Sequence, residues 1–209
     1  MPLPVAVPPP RRTQAERRDE SERRLLQAAA ELIVDKGVRA ATFENIGARA
    51  GYSRGLATQK FGSKQGLTEA LIAHLQQRLE TLLTERDFDA LPALEAVLTF
   101  VDVYLRNLDQ DGETRAYFTL MAGSIAEQST LRALFAQVHG GVERQLESLV
   151  QRGQAEGSIR PEIDADAAAL MVGSLLLGLS TQLLIDPQMD LTPIRETSVA
   201  ALRQSFAAG

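Results

Sequence analysis

The 209-residue chain has no cysteine and only two histidines. Without cysteine there are no disulfides, no thiolate nucleophile and no zinc finger, and the composition fits a reducing cytoplasm, the expected location. His74 and His139 fall on different predicted helices with no carboxylate spaced to join either, so neither a metal nor a cofactor is expected. GxSxG elbows, P-loops and GxGxxG turns are also missing, which leaves enzymatic activity without positive support. No stretch alternates apolar and polar residues as a half-buried strand does, so the expected fold class is all-α. The N-terminus lacks a positive region ahead of an apolar run and does not read as a secretory signal.

With 44% hydrophobic residues the chain can bury a substantial core. Its net charge of −5 hides an asymmetry: residues 1–64 carry 12 Lys+Arg against 7 Asp+Glu, whereas the remainder carries 10 against 20. Phosphate attraction is local, decaying over about 10 Å at ordinary ionic strength, so a basic head of net +5 can work on an acidic body of net −10. An uneven surface without function is the plainer alternative.

Residues 1–10, MPLPVAVPPP, hold five prolines and no charge and should stay outside the fold, giving a tail over 1–15. Arg11, Arg12, Arg17, Arg18, Arg23 and Arg24 follow as pairs broken by acids. A basic arm on DNA is one reading; for the arginines from 17 onward a solvated helix face with i,i+4 ion pairs is preferred. Leu25, Ala28, Ala29, Leu32 and Ile33 set a helical period from Glu16 to Lys36.

Two short helices come next. Thr42 can cap the first, with Ile46 and Ala50 on one face and Gly51 as a left-handed stop. Ser53 starts the second, with Ala57 and Phe61 turned back to the first. Arg54, Gly55, Leu56, Thr58, Gln59 and Lys60 are thereby expected to face outward, in a helix suited to a DNA major groove. Ser63 caps a long helix from Lys64 to about Leu83.

The run TFENIGARAGYSRGLATQKFGSK over residues 42–64 resembles the DNA-binding signature of the TetR family, in particular at Thr42, Ile46, Ala50-Gly51, Ser53, Gly55, Phe61, Ser63 and Leu67. It departs from that pattern at Ala57, Thr58 and Lys60, where the family usually has a bulky aliphatic residue, Tyr and His. The resemblance implies a three-helix helix-turn-helix head over 16–64. A regulatory and dimerisation body over 65–209 would complete about nine helices. Base readers would be Arg54, Gln59 and Leu56; Thr42, Ser53, Thr58, Lys60 and Lys64 would hold phosphates.

The body reads as helices throughout: Pro92 to about Leu108, Asp111-Gly112 to near Glu127, Ser129-Thr130 to 153–157, Ala165 to Ile185, and Pro193 to about Phe206. Glu143 and Glu147 read as a solvated face. The 165–185 segment is long enough to cross a membrane, but its acidic flanks favour a helix buried on several faces, and no membrane partner is expected. Leu170, Ser174, Leu177, Gly178 and Thr181, with Val199, Leu202 and Phe206 of the last helix, are the candidate homodimer interface; a monomer is the alternative. Phe100, Tyr104, Tyr117, Phe118, Met121, His139 and Met171 are candidate walls of an effector cavity, with ordinary core as the alternative.

The expected function is a ligand-responsive repressor that binds a pseudo-palindromic double-stranded DNA operator as a homodimer and answers to an unidentified small molecule. The rivals are a ligand-independent or architectural DNA-binding protein, and an all-helical enzyme or adaptor with an incidental basic head.

Overall fold

The computed structural model describes residues 13–108, 112–126 and 130–209; the expected tail over 1–10, Arg11, Arg12, Asp111 and Ser129 lie outside them. Among the described residues there are nine α-helices, and the one strand-like pairing is an isolated bridge between Ile159 and Ala207.

Helix α1 spans Gln14–Lys36. It begins two residues before the start expected at Glu16, because Thr13 makes a reciprocal cap. The Glu16 N–H donates to Thr13 Oγ1 at 3.2 Å and the Thr13 N–H donates to Glu16 Oε2 at 2.7 Å. All five residues of the expected apolar stripe are buried. Arg23 and Arg24 both bond Glu20, which pulls the Glu20 carboxyl below its usual range, so these arginines form the ion-paired face expected of them.

Helices α2 (Phe43–Ala50) and α3 (Arg54–Phe61) form the helix-turn-helix. Gly51 turns the chain in the left-handed region at φ 76°, and a Cβ at Gly47 would lie 2.9 Å from the Tyr52 carbonyl oxygen. That clearance lets α3 fold back until Ile46 and Ala57 are fully buried, and burying the Ile46 side chain contributes about 1.5–3 kcal/mol. Phe43 and Phe61 stack at 6.4 Å across the two helices.

Helix α4 (Lys64–Thr84) is capped by Ser63, whose Oγ accepts from the Gly66 N–H at 3.0 Å, and it runs from the head into the body. The body comprises α5 (Ala93–Leu108), α6 (Gly112–Ala126), α7 (Leu131–Glu156), α8 (Ala165–Ile185) and α9 (Thr192–Phe206). Helix α7 continues unbroken through Gly140-Gly141. Helix α8 packs on α7, α6 and α5; α9 packs on α5. Arg195 with Asp102 and Arg203 with Glu95 tie α9 to α5 by charge.

Head and body meet by a route the chain order does not reveal. Besides the covalent path through α4, α1 packs broadly against α6. Glu113 of α6 is buried and reaches α4, accepting from His74 Nε2 and Arg78 Nη1, each at 3.1 Å. Burial alone would raise the Glu113 carboxyl, but the interactions with His74 and Arg78 outweigh it and hold the group below its usual range.

Candidate nucleic-acid interface and cavity

The outward face of α3 is small and polar. Arg54, Gly55, Thr58 and Gln59 are exposed, with Ser53 at the start of the helix, where its Oγ accepts from the Leu56 N–H at 3.2 Å. Thr58 Oγ1 donates to the Arg54 carbonyl at 3.0 Å, which fixes its rotamer. Thr42 caps α2 by accepting from the Asn45 N–H at 3.2 Å. Asn45 fills the place of a capping-box acid differently, donating from Nδ2 to the Ala40 carbonyl at 2.9 Å. Leu56 is half-buried against the core and so less outward than expected.

Lys60 requires a correction. Its ammonium donates to Glu22 Oε2 at 2.8 Å and to the Arg18 carbonyl at 3.0 Å, and the side chain is only 10% exposed. It turns inward because the partly buried stem brings its charge to α1, where the Glu22 carboxylate and the Arg18 carbonyl, which also accepts from Ser21 Oγ, satisfy it. Lys60 therefore clamps α3 to α1 and is not free for phosphate. Arg49 is similarly engaged, with Asp35 at 2.9 Å and Glu31 at 3.5 Å. Arg54 and Lys64 are exposed and carry no side-chain bond or ion pair among the described residues. Arg39, on the short turn between α1 and α2, is a third such cation, which the sequence reading did not single out.

In the body, a cavity of about 260 Å³ opens between α4, α5, α6, α7 and α8. Phe100, Tyr104, Tyr117, Phe118 and His139 line it as expected. Tyr117 is the centre of an aromatic cluster, edge-on to Phe118 at 4.9 Å and to Phe135 at 5.2 Å, with its hydroxyl 3.1 Å from His139 Nε2. Tyr104 shares a hydrogen bond with Ser180 at 3.0 Å. Burial pushes both tyrosine hydroxyls up and the His139 imidazole down, so all three are neutral near pH 7.

Two expected wall residues are placed elsewhere. Met121 lies behind the wall, buried, with Sδ 3.1 Å from His139 Nε2. Met171 is 47% exposed and borders a groove between α8 and α9 on the other side of α8, because its position in the helical period points away from the cavity. The α4 side of the cavity, with Leu75, Leu79 and Arg78, went unrecognised because a wall and a core stripe share one spacing. Glu143, expected on a solvated face, is half-buried and lines the cavity.

Helix α8 is half of what its composition promised. It is long and apolar enough to span a membrane, yet only 33% of its most apolar window is buried, on one side. Leu170, Met171, Ser174, Gly178, Thr181 and Ile185 form an exposed stripe at helical spacing. Leu170, Ser174 and Leu177 also line the cavity, so that part of the expected interface is cavity wall as well. On α9, Leu202 and Phe206 are 4% and 3% exposed and belong to the protomer's own core, which removes them from the interface; Val199 is half-buried. They follow the same four-residue period as a surface stripe, and packing on α5 decides which side they take. Among the described residues no group of three or more His, Cys, Asp or Glu is placed to hold a metal.

The family model for bacterial regulatory proteins of the tetR family matches residues 25–71, and that for the C-terminal part of BetI-type transcriptional repressors matches residues 93–207. The HTH-type transcriptional regulator YvkB of Bacillus subtilis is 35% identical over 33% of this chain and 36% of its own length. An HTH-type transcriptional repressor of Mycobacterium tuberculosis is 36% identical over 35% of this chain and 39% of its own length. The chain thus matches little more than a third of these curated relatives' length. In fold it resembles a TetR-family transcriptional regulator from a Rhodococcus species, with a TM-score of 0.76 at 22% identity over 90% of this chain and 100% of the other. It also resembles the SmeT–triclosan complex, with a TM-score of 0.73 at 23% identity over 90% and 91%. The family models together cover the helix-turn-helix and more than half of the chain, and the chain belongs to the TetR family of bacterial transcriptional regulators.

Proposed function

We propose that the protein is a ligand-responsive transcriptional repressor that binds a pseudo-palindromic operator as a homodimer inside the cell. The observation that carries this reading is the outward face of α3, where Arg54 and Gln59 stand exposed while the cations behind them are consumed in holding the helix. Arg54 has the fork geometry for a guanine edge and Gln59 for an adenine edge. Thr58 on this face, Ser53 at the start of α3 and Thr42 at the start of α2 would hold phosphates, and Lys64, in the first turn of α4, adds its charge to a helix terminus that favours phosphate. A head of net +5 supplies the sequence-independent attraction.

The exposed stripe of α8 from Leu170 to Ile185 supports the homodimer. Its small residues Ser174, Gly178 and Thr181 permit close approach of a symmetry-related helix, and covering the stripe removes apolar surface from water. Two heads held at a fixed spacing would then read half-sites about 34 Å apart. The cavity supports the effector. The relative solved with triclosan bears its ligand by name, and a small molecule between α4 and α6 here would act on both links to the head. A coupling of about 1–3 kcal/mol is enough for a useful response.

A gel shift of the full-length protein on the DNA flanking its own gene tests the reading. Specific retention that survives competitor DNA and about 150 mM salt is the expected result; retention lost equally for every sequence would reduce the protein to a non-specific binder.

A further inference from the structure

We propose that the cavity selects an organic cation, an ammonium or amidinium carried on a compact aromatic or aliphatic body, with Glu143 as its counter-ion. The inference rests on the cavity being the effector site and adds the charge class of its occupant. Among the described residues, the charged side chains on the cavity wall are Arg78 and Glu143. Arg78 is spoken for: Glu113 of α6 accepts from it at 3.1 Å, and the same carboxylate takes His74 as well. Glu143 has no hydrogen bond or ion pair among the described residues, although it is half-buried. Its neighbour one turn back on the same face of α7, His139, is kept neutral by burial and cannot offset it.

Among the described residues the wall therefore presents one uncompensated negative charge, in the same cavity as the rings of Phe100, Tyr104, Tyr117 and Phe118. Carboxylate and aromatic faces attract the same kind of guest, since a ring face is negative and a cation gains from both. A neutral guest of the same shape would take water from Glu143 and give nothing in return; an anion would be repelled by it. The volume of about 260 Å³ suits a body of roughly naphthalene size.

The test is isothermal titration of the full-length protein with three matched probes: (1-naphthylmethyl)trimethylammonium, its neutral carbon isostere 1-neopentylnaphthalene, and 1-naphthylacetate. The cation is expected to bind about tenfold or more tighter than the isostere, and the anion weakest. Glu143→Gln should erase the preference while Glu147→Gln, one turn further along α7, leaves it intact, both variants melting near the wild-type temperature. Equal binding of cation and isostere, or an unchanged preference in Glu143→Gln, would overturn the charge inference while leaving the effector site standing. Binding of none of the three would remove both.

Discussion

Helices α3 and α8 both leave a full face uncovered, and the faces differ in kind. On α3 the exposed side chains are Arg54, Thr58 and Gln59, and on α8 they run from Leu170 and Met171 through Gly178 to Ile185. A polar face with free donors is stable in water and waits for a partner that supplies acceptors; an apolar face is costly in water and calls for a partner that covers it. The head also spends its inner charges on rigidity, with Lys60 and Arg49 anchored to α1. The difference teaches that exposure alone does not name a partner; its chemistry does. Under the proposed function the two faces would match DNA in one case and a second copy of the chain in the other.

The strongest way to break this contrast is to place a charge on the apolar face. Gly178→Glu or Met171→Glu should cost dimerisation about 3–5 kcal/mol, by burying an unpaired carboxylate, and operator affinity should fall with it; sedimentation equilibrium beside a gel shift reads both. If those variants remained dimeric as the wild type does, the α8 stripe would not be the dimer interface. Next in size, Arg54→Ala should lose about 1–3 kcal/mol of operator binding and relax specificity at one base position, leaving dimerisation untouched.

Lys60 and Lys64 sharpen the contrast within the head. Lys64→Ala should flatten the dependence of log affinity on log salt by about one unit, whereas Lys60→Met should leave that slope alone and lower thermal stability by about 1 kcal/mol through the lost clamp to Glu22. A reduced salt slope in Lys60→Met would return that residue to the phosphate contacts. The smallest expected effect concerns acid. The folded Glu113 carboxyl lies below its unfolded value of about 4.3, so its contribution is complete above that pH and is lost as pH falls through the folded value. Glu113→Gln should therefore be less stable than wild type at pH 7, with the gap closing below about pH 4 in denaturant titrations.

Much of this molecule was legible in its sequence, for local reasons. The caps at Thr42, Ser53 and Ser63, the glycine at 51 and the 3.6-residue stripes are short-range signals, and helix ends fell within about two residues of the structure because caps are local chemistry. The misses share another cause. Lys60 finds its partner 38 residues back along the chain, and no spacing rule announces Glu22. Met171 and Leu170 are adjacent and equally apolar, yet Leu170 borders the cavity and Met171 the α8–α9 groove. Leu202 and Phe206 looked like interface because periodicity tells which residues share a side, not which neighbour that side meets. Glu143 was assigned to solvent for the same reason.

The contact of α1 with α6 also revises how the effector would be felt. Helix α4 is the covalent path from body to head, but α6 shares a wall of the cavity and packs against α1, and Glu113 joins it to α4. Any displacement of α6 by an occupant reaches α1 directly and α4 through charge.

The most direct measurement is hydroxyl-radical footprinting of the full-length protein and Arg54→Ala on the DNA flanking its own gene. Two protected half-sites about 34 Å apart, related by a pseudo-two-fold axis, are expected with wild type and should be lost or weakened with Arg54→Ala at matched concentration. Uniform protection without half-sites, or a pattern indifferent to Arg54, would contradict the proposed function.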